Sequence, residues 1–331
     1  MLCAIVIFLF SQCKKNDSTN LENNVPNTTP TGYTGSGSVT QGRASTTINN
    51  LFPLGIRVAA IGAITSTDNK QWTVPAEVNF TNANFPFASD LYNSYVPGHS
   101  YANTNVAIAA LTGNDITTVD TGGDIFTAFI FSDNYFEMYV NGIPVGKDAI
   151  PYTEFNSSII RFRVTKPFTI AVKCVDWEEN LGLGTELQGT NSNYVGDGGF
   201  VAVIKNSSGN IESITDNSWK AQTFYTSPII DLTCLSENNN YRLSSNCSTT
   251  SATVNSYGIH WSVPDNWNMT NFDDTSWPIA TLFTNTIVGV NNKPSYTNFT
   301  DIFDNSSNDA SFIWSTNLLL DNLVLLRKKV Q

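Results

Sequence analysis

Three carboxylates and an indole stand side by side at Asp176-Trp177-Glu178-Glu179, ahead of Asn180 and the stretch Leu181-Gly182-Leu183-Gly184. Carboxylate oxygens are what a Ca2+ ion takes, about six to eight oxygens at a time. Asp176, Glu178 and Glu179 are therefore a candidate calcium set, without the spacing of an EF-hand. Trp177 offers a flat apolar face that suits the C–H face of a pyranose. The competing expectation is a solvated acidic loop with Trp177 packed inward. Asp133 and Asn134 open a strand and are read either as a turn or as the rim of a sugar site.

Catalytic chemistry has fewer candidates. His99 and His260 are the only histidines, and neither sits in a nucleophile elbow or a metal-binding motif. Carboxyl pairs for glycoside hydrolysis remain open within 176–179 and at Asp273-Asp274. A phosphate-cradling glycine loop ahead of a helix is absent. The formal charge is -11, and 17 basic residues are scattered except for Arg327-Lys328-Lys329, which excludes nucleic acid as the expected partner. Binding is thus favoured over catalysis.

Such loop groups need a scaffold. Charged residues make up only 14% of the chain, and Asn, Ser and Thr carry the polarity in their place. These residues compete with the backbone for hydrogen bonds and disfavour helix interiors. Short apolar runs broken by Gly, Asn, Asp and Pro predict an all-β chain from residue 51 onward, with no helix. Residues 125–131 are apolar on both faces, as in a central strand. Residues 135–140 alternate and end in Asn141-Gly142, the strongest short hairpin signal. Further strands are expected at 160–164, 168–175, 200–204, 257–263 and 323–330. Cys174 shares the parity of Phe168, Ile170 and Val172, which predicts a buried thiol.

The segment 133–146, Asp-Asn-Tyr-Phe-Glu-Met-Tyr-Val-Asn-Gly-Ile-Pro-Val-Gly, resembles the central hairpin of galactose-binding-like β-sandwich domains that accompany bacterial glycoside hydrolases and rhamnosidases. Thr215-Asp216-Asn217-Ser218-Trp219-Lys220 and Phe272-Asp273-Asp274-Thr275-Ser276-Trp277 are similar to two further segments of that family. Phe312-Ile313-Trp314 and Leu326-Arg327 resemble its Trp-bearing and Arg-bearing strands, although here they follow the hairpin. Either one sandwich is completed from the C-terminus or parts of two are present. The resemblance spans 115–331 and implies an antiparallel jelly roll with extra N-terminal strands. Trp219, Trp277 and Trp314 are expected in its core.

The first residues read as an address. Residues 2–10 are apolar but too short to span a bilayer, and Ser11-Gln12-Cys13-Lys14-Lys15 follows. This resembles a bacterial lipoprotein signal with Cys13 as the lipidated residue; an ordinary secretion signal is the alternative. The expected organisation is a signal at 1–13, a flexible tether at 14–50, a β segment at 51–114 and the sandwich at 115–331. In an oxidising compartment Cys234 and Cys247 pair as a disulfide or stay free. The chain is thus expected to be an extracytoplasmic protein, on the cell surface or secreted, that binds a glycan or adheres to a neighbouring surface. A structural subunit of a surface assembly and a divergent glycoside hydrolase are the alternatives.

Overall fold

The computed structural model describes residues 32–152, 156–250, 252–306 and 309–331. Cys13 and the first part of the expected tether, 14–31, lie outside the described residues. Among the described residues no helix is long and apolar enough to cross a membrane.

Two large sheets dominate. The first runs in the order Ser38–Gln41, Tyr257–His260, Lys220–Ile229, Asp321–Val330, Phe168–Val175, Tyr135–Val140, Ile143–Lys147. The second follows Thr281–Phe283, Phe312–Trp314, Gly199–Asn206, Asp124–Asp133, Ser157–Val164, Ser89–Tyr92, with Ile211–Ile214 and Ile116–Thr118 attached at its sides. Pairing is antiparallel except for Ile116–Thr118 on Ser157–Val164. The last strand, Asp321–Val330, lies between Lys220–Ile229 and Phe168–Val175 at the centre of its sheet. The C-terminus therefore completes one sandwich, which resolves the alternative left by the sequence.

Side-chain alternation splits the first sheet between two cores. Phe168, Ile170, Val172 and Cys174 join Phe136, Met138, Val140, Val324 and Leu326 in the core against the second sheet. The opposite parity, Tyr135, Ala171, Val175, Leu323 and Leu325, enters another core with Ala59, Ile61, Ile64, Val74 and Phe80. Fully burying a Val, Leu, Ile, Phe or Met side chain among these contributes about 1.5–3 kcal/mol. This second core is why the N-terminal residues belong to the body. Ser38–Gln41 and Ser45–Ile48 are strands, the former in the first sheet, so the tether expected through residue 50 stops short of residue 38. The β segment at 51–114 is likewise packed onto the sandwich: Ser89–Tyr92 pairs with Ser157–Val164 in the second sheet. Expecting no helix after residue 51 was also too strict. Thr104–Ala110 is helical because Asn103 caps it, accepting from the Val106 amide.

The turn chemistry of the central hairpin is as the sequence implies. Asn141 and Gly142 have φ of 52° and 82°, and Val140 pairs with Ile143 across them. Trp219 and Trp314 are fully buried, and Trp277 nearly so. Cys174 is a free thiol in the core. Cys234 and Cys247 form a disulfide around the hairpin Ser236–Asn238/Tyr241–Leu243. A crosslink closing a loop of this size contributes about 3 kcal/mol. The double substitution Cys234→Ser/Cys247→Ser should therefore lower the calorimetric Tm, and reductant should reproduce the shift in the wild type.

Candidate functional site

The second core does not close over the whole first sheet. Between the edge strand Gln71–Val74 and the strands Lys220–Ile229 and Tyr257–His260 a cleft of about 370 Å³ opens. Its walls carry Trp72, Tyr225, His260, Trp261 and Trp267. Aromatic walls with a few polar groups are what a small-ligand site requires.

Each ring is held from behind. Trp72 faces Ile64 across the antiparallel pair, and its indole N–H donates to Ser66 Oγ at 2.9 Å. It stacks on His260 with centroids 5.1 Å apart, and His260 stacks in turn on Tyr225 at 4.4 Å. Burial lowers the His260 pKa to about 3, so the imidazole in this stack is neutral at ordinary pH. Its Nε2 lies 3.0 Å from Thr40 Oγ1. Trp261 donates its N–H to Glu237 Oε1 at 3.1 Å, with the Arg242 guanidinium 4.5 Å over its ring. Arg242 comes from the disulfide-closed hairpin. Trp267 lies edge-on to Tyr139. Its loop is clamped by Arg327, which is buried, donates to the Trp267 and Met269 carbonyls, and meets Asp274 Oδ2 at 2.7 Å. Rings locked this way lose little freedom on binding. Trp261 and Trp267 keep only 7% and 6% of their surface exposed, whereas Trp72 is half-buried and presents the most ring to solvent.

Polar groups ring the mouth. Glu77 and Asp265 are exposed. Lys173 donates to the Glu77 carbonyl at 2.8 Å and lies 3.4 Å from Glu137 Oε2, so its charge is already met.

The residues singled out by the sequence sit elsewhere, and their expected roles need correction. Trp177 is 1% exposed, edge-on to Tyr135 in the second core, and offers no face to a sugar. Its amide donates to Asn134 Oδ1. Glu178 is buried and accepts from the amides of Gly182 and Gly184 and from Tyr225. Gly182 and Gly184 adopt positive φ, 83° and 57°, which turns those amides inward. Burial raises Glu178 to about 7 against these donors. Glu179 accepts from the Leu187 amide and faces Arg57, which also pairs with Glu186 at 2.8 Å. Asp176, Glu178 and Glu179 therefore do not form the calcium set expected of them. Among the described residues no group of three His, Cys, Asp or Glu side chains could hold a metal ion.

Asp133 and Asn134 are buried and form no rim. Asp133 instead faces Asp176, Glu186 and Asp197, and its Oδ2 has no hydrogen-bond partner among the described residues. Burial first, then these neighbours, pushes the Asp133 carboxyl far above its usual range; burial and Glu186 do the same to Asp176. The carboxyl pair at Asp273-Asp274 is also committed: Asp273 caps Thr275, while Asp274 holds Arg327.

Two antiparallel sheets packed through a shared core define an all-β sandwich. Comparison with known proteins found no matching family model, no matching characterised protein and no matching solved structure.

Trp72 lies far along the chain from Trp261 and Trp267, so local patterning does not bring the three rings together as a site. The available signal was weak: Gln71-Trp72-Thr73-Val74 places a large ring on an alternating, half-polar strand.

Proposed function

We propose that the chain is an exported carbohydrate-binding or adhesion protein whose ligand lies in the Trp72–Trp261–Trp267 cleft. The observation that carries this reading is the half-buried Trp72 ring, fixed by Ser66 and His260 at the wall of an open cleft. A pyranose stacked there covers its apolar face, while Gln71, Ser262 and the mouth carboxylates meet its hydroxyls. The sandwich, with its resemblance to galactose-binding-like domains, is a scaffold compatible with that role; fold alone assigns no activity. The lipoprotein-like start suits attachment to a cell surface through Cys13.

A glycan array followed by calorimetry tests the reading. Trp72→Ala should weaken the best sugar ligand by about tenfold, equivalent to about 1.4 kcal/mol, with the Tm little changed. EDTA should leave binding unaltered, because the cleft rather than an ion holds the sugar. An array with no binder, or a Trp72→Ala protein with undiminished affinity, removes the reading. Release of the mature protein from membranes only by detergent, with a lipid mass on its N-terminal peptide, checks the anchor.

A further inference from the structure

The charge pattern of the cleft narrows the class of sugar. Three groups that carry formal charge in the exposed part of the cleft are Glu77, Asp265 and Lys173. Lys173 is spent: its ammonium bonds the Glu77 carbonyl and lies beside the buried Glu137 carboxylate. Neither the Glu77 nor the Asp265 side chain has a hydrogen-bond or ion-pair partner among the described residues, and both are exposed at the mouth. A ligand on the Trp72 ring therefore meets two unmatched carboxylates and no free cation. His260 adds no positive charge, being neutral in its buried stack.

We infer that the cleft selects oligosaccharides bearing free amino groups, such as deacetylated hexosamine units, over neutral ones, and disfavours uronate or sulfated glycans. The inference rests on the cleft being a sugar site, as proposed above. Because Glu77 and Asp265 face water, the selectivity is an exposed-charge effect that salt screens; the Debye length falls from roughly 30 Å at 0.01 M to about 3 Å at 1 M.

The test compares three probes of equal length by calorimetry at pH 6: a glucosamine oligomer, its N-acetylated counterpart and a galacturonate oligomer. In low salt the glucosamine oligomer should bind about tenfold tighter than the N-acetylated one, with galacturonate weakest. In about 0.5 M salt the first two should approach parity. Glu77→Gln/Asp265→Asn should abolish the preference, so that the glucosamine oligomer and its N-acetylated counterpart bind that variant equally. That variant separates a local effect from the general attraction of a chain of net charge -11 for cations. Equal affinity for aminated and N-acetylated probes in low salt overturns the inference and leaves the sugar site standing. So does a preference that survives in the double variant. Failure of all three probes, in a protein that also ignores the wider array, overturns both.

Discussion

Trp177→Ala should destabilise the protein by about 3–5 kcal/mol, the usual loss for deleting a large buried aromatic side chain. The ring is 1% exposed and lies in the second core, edge-on to Tyr135 at 5.9 Å. Its removal leaves a void beneath the 178–184 loop, where Glu178 is held by the Gly182 and Gly184 amides. The indole N–H has no hydrogen-bond partner among the described residues. Leaving a buried donor unpaired costs about 1–3 kcal/mol, so Trp177→Phe should be far milder than Trp177→Ala. Urea denaturation of the two variants measures the difference. A Trp177→Ala protein that keeps its stability but loses sugar binding would return the site to the loop.

The second large effect is on pH. A carboxyl whose folded pKa is raised binds more protons in the folded state than in the unfolded state. Its contribution is then greatest below the unfolded pKa and is lost as pH rises through the folded value. Asp197 and Asp321 rise to about 6, Asp148 and Glu178 to about 7, and Asp133 and Asp176 are pushed well above the usual carboxyl range, all chiefly through burial. The opposite group is Asp68, Asp120, Glu212, Asp231, Glu237 and Asp273, lowered by hydrogen bonds; it is lost on acidification, and apart from the half-buried Glu237 it lies close to solvent and is weakly weighted. The Tm should therefore peak in mild acid and fall steadily from about pH 5 to pH 8. Asp176→Asn removes a buried acid that faces Glu186 and Asp197. Its Tm should exceed that of the wild type at pH 8 and match it near pH 5. A wild type whose Tm is flat across this range contradicts the account. So does an Asp176→Asn protein that is weaker at both pH values.

Period-two patterning carried much of the fold. Residues 168–175 and 135–140 could be assigned to strands, and Cys174 to a core, because one parity was uniformly apolar. What that pattern could not reveal was that the other parity is buried as well. Tyr135, Glu137 and Tyr139 look like a solvent-facing stripe, yet they meet residues from 59–80, a contact between segments far apart in sequence. The same long-range packing turned residues 38–48, polar enough to read as tether, into strands. Trp177 packs inward, as the competing expectation had it, but the loop that follows it is not a solvated one. Three neighbouring carboxylates suggested an exposed loop, whereas Glu178 is inside because two glycines turn their amides towards it. The aromatic cleft joins residues 71–77 to 260–267, a separation that local reading does not bridge.

The most direct test of the sugar site is a crystal grown with the tightest oligosaccharide from the array. Density for a pyranose against the Trp72 ring, between Gln71–Val74 and the Trp261–Trp267 segment, is the expected result. Sugar density seated at residues 176–187 instead, with the Trp72 cleft filled only by solvent, would contradict it.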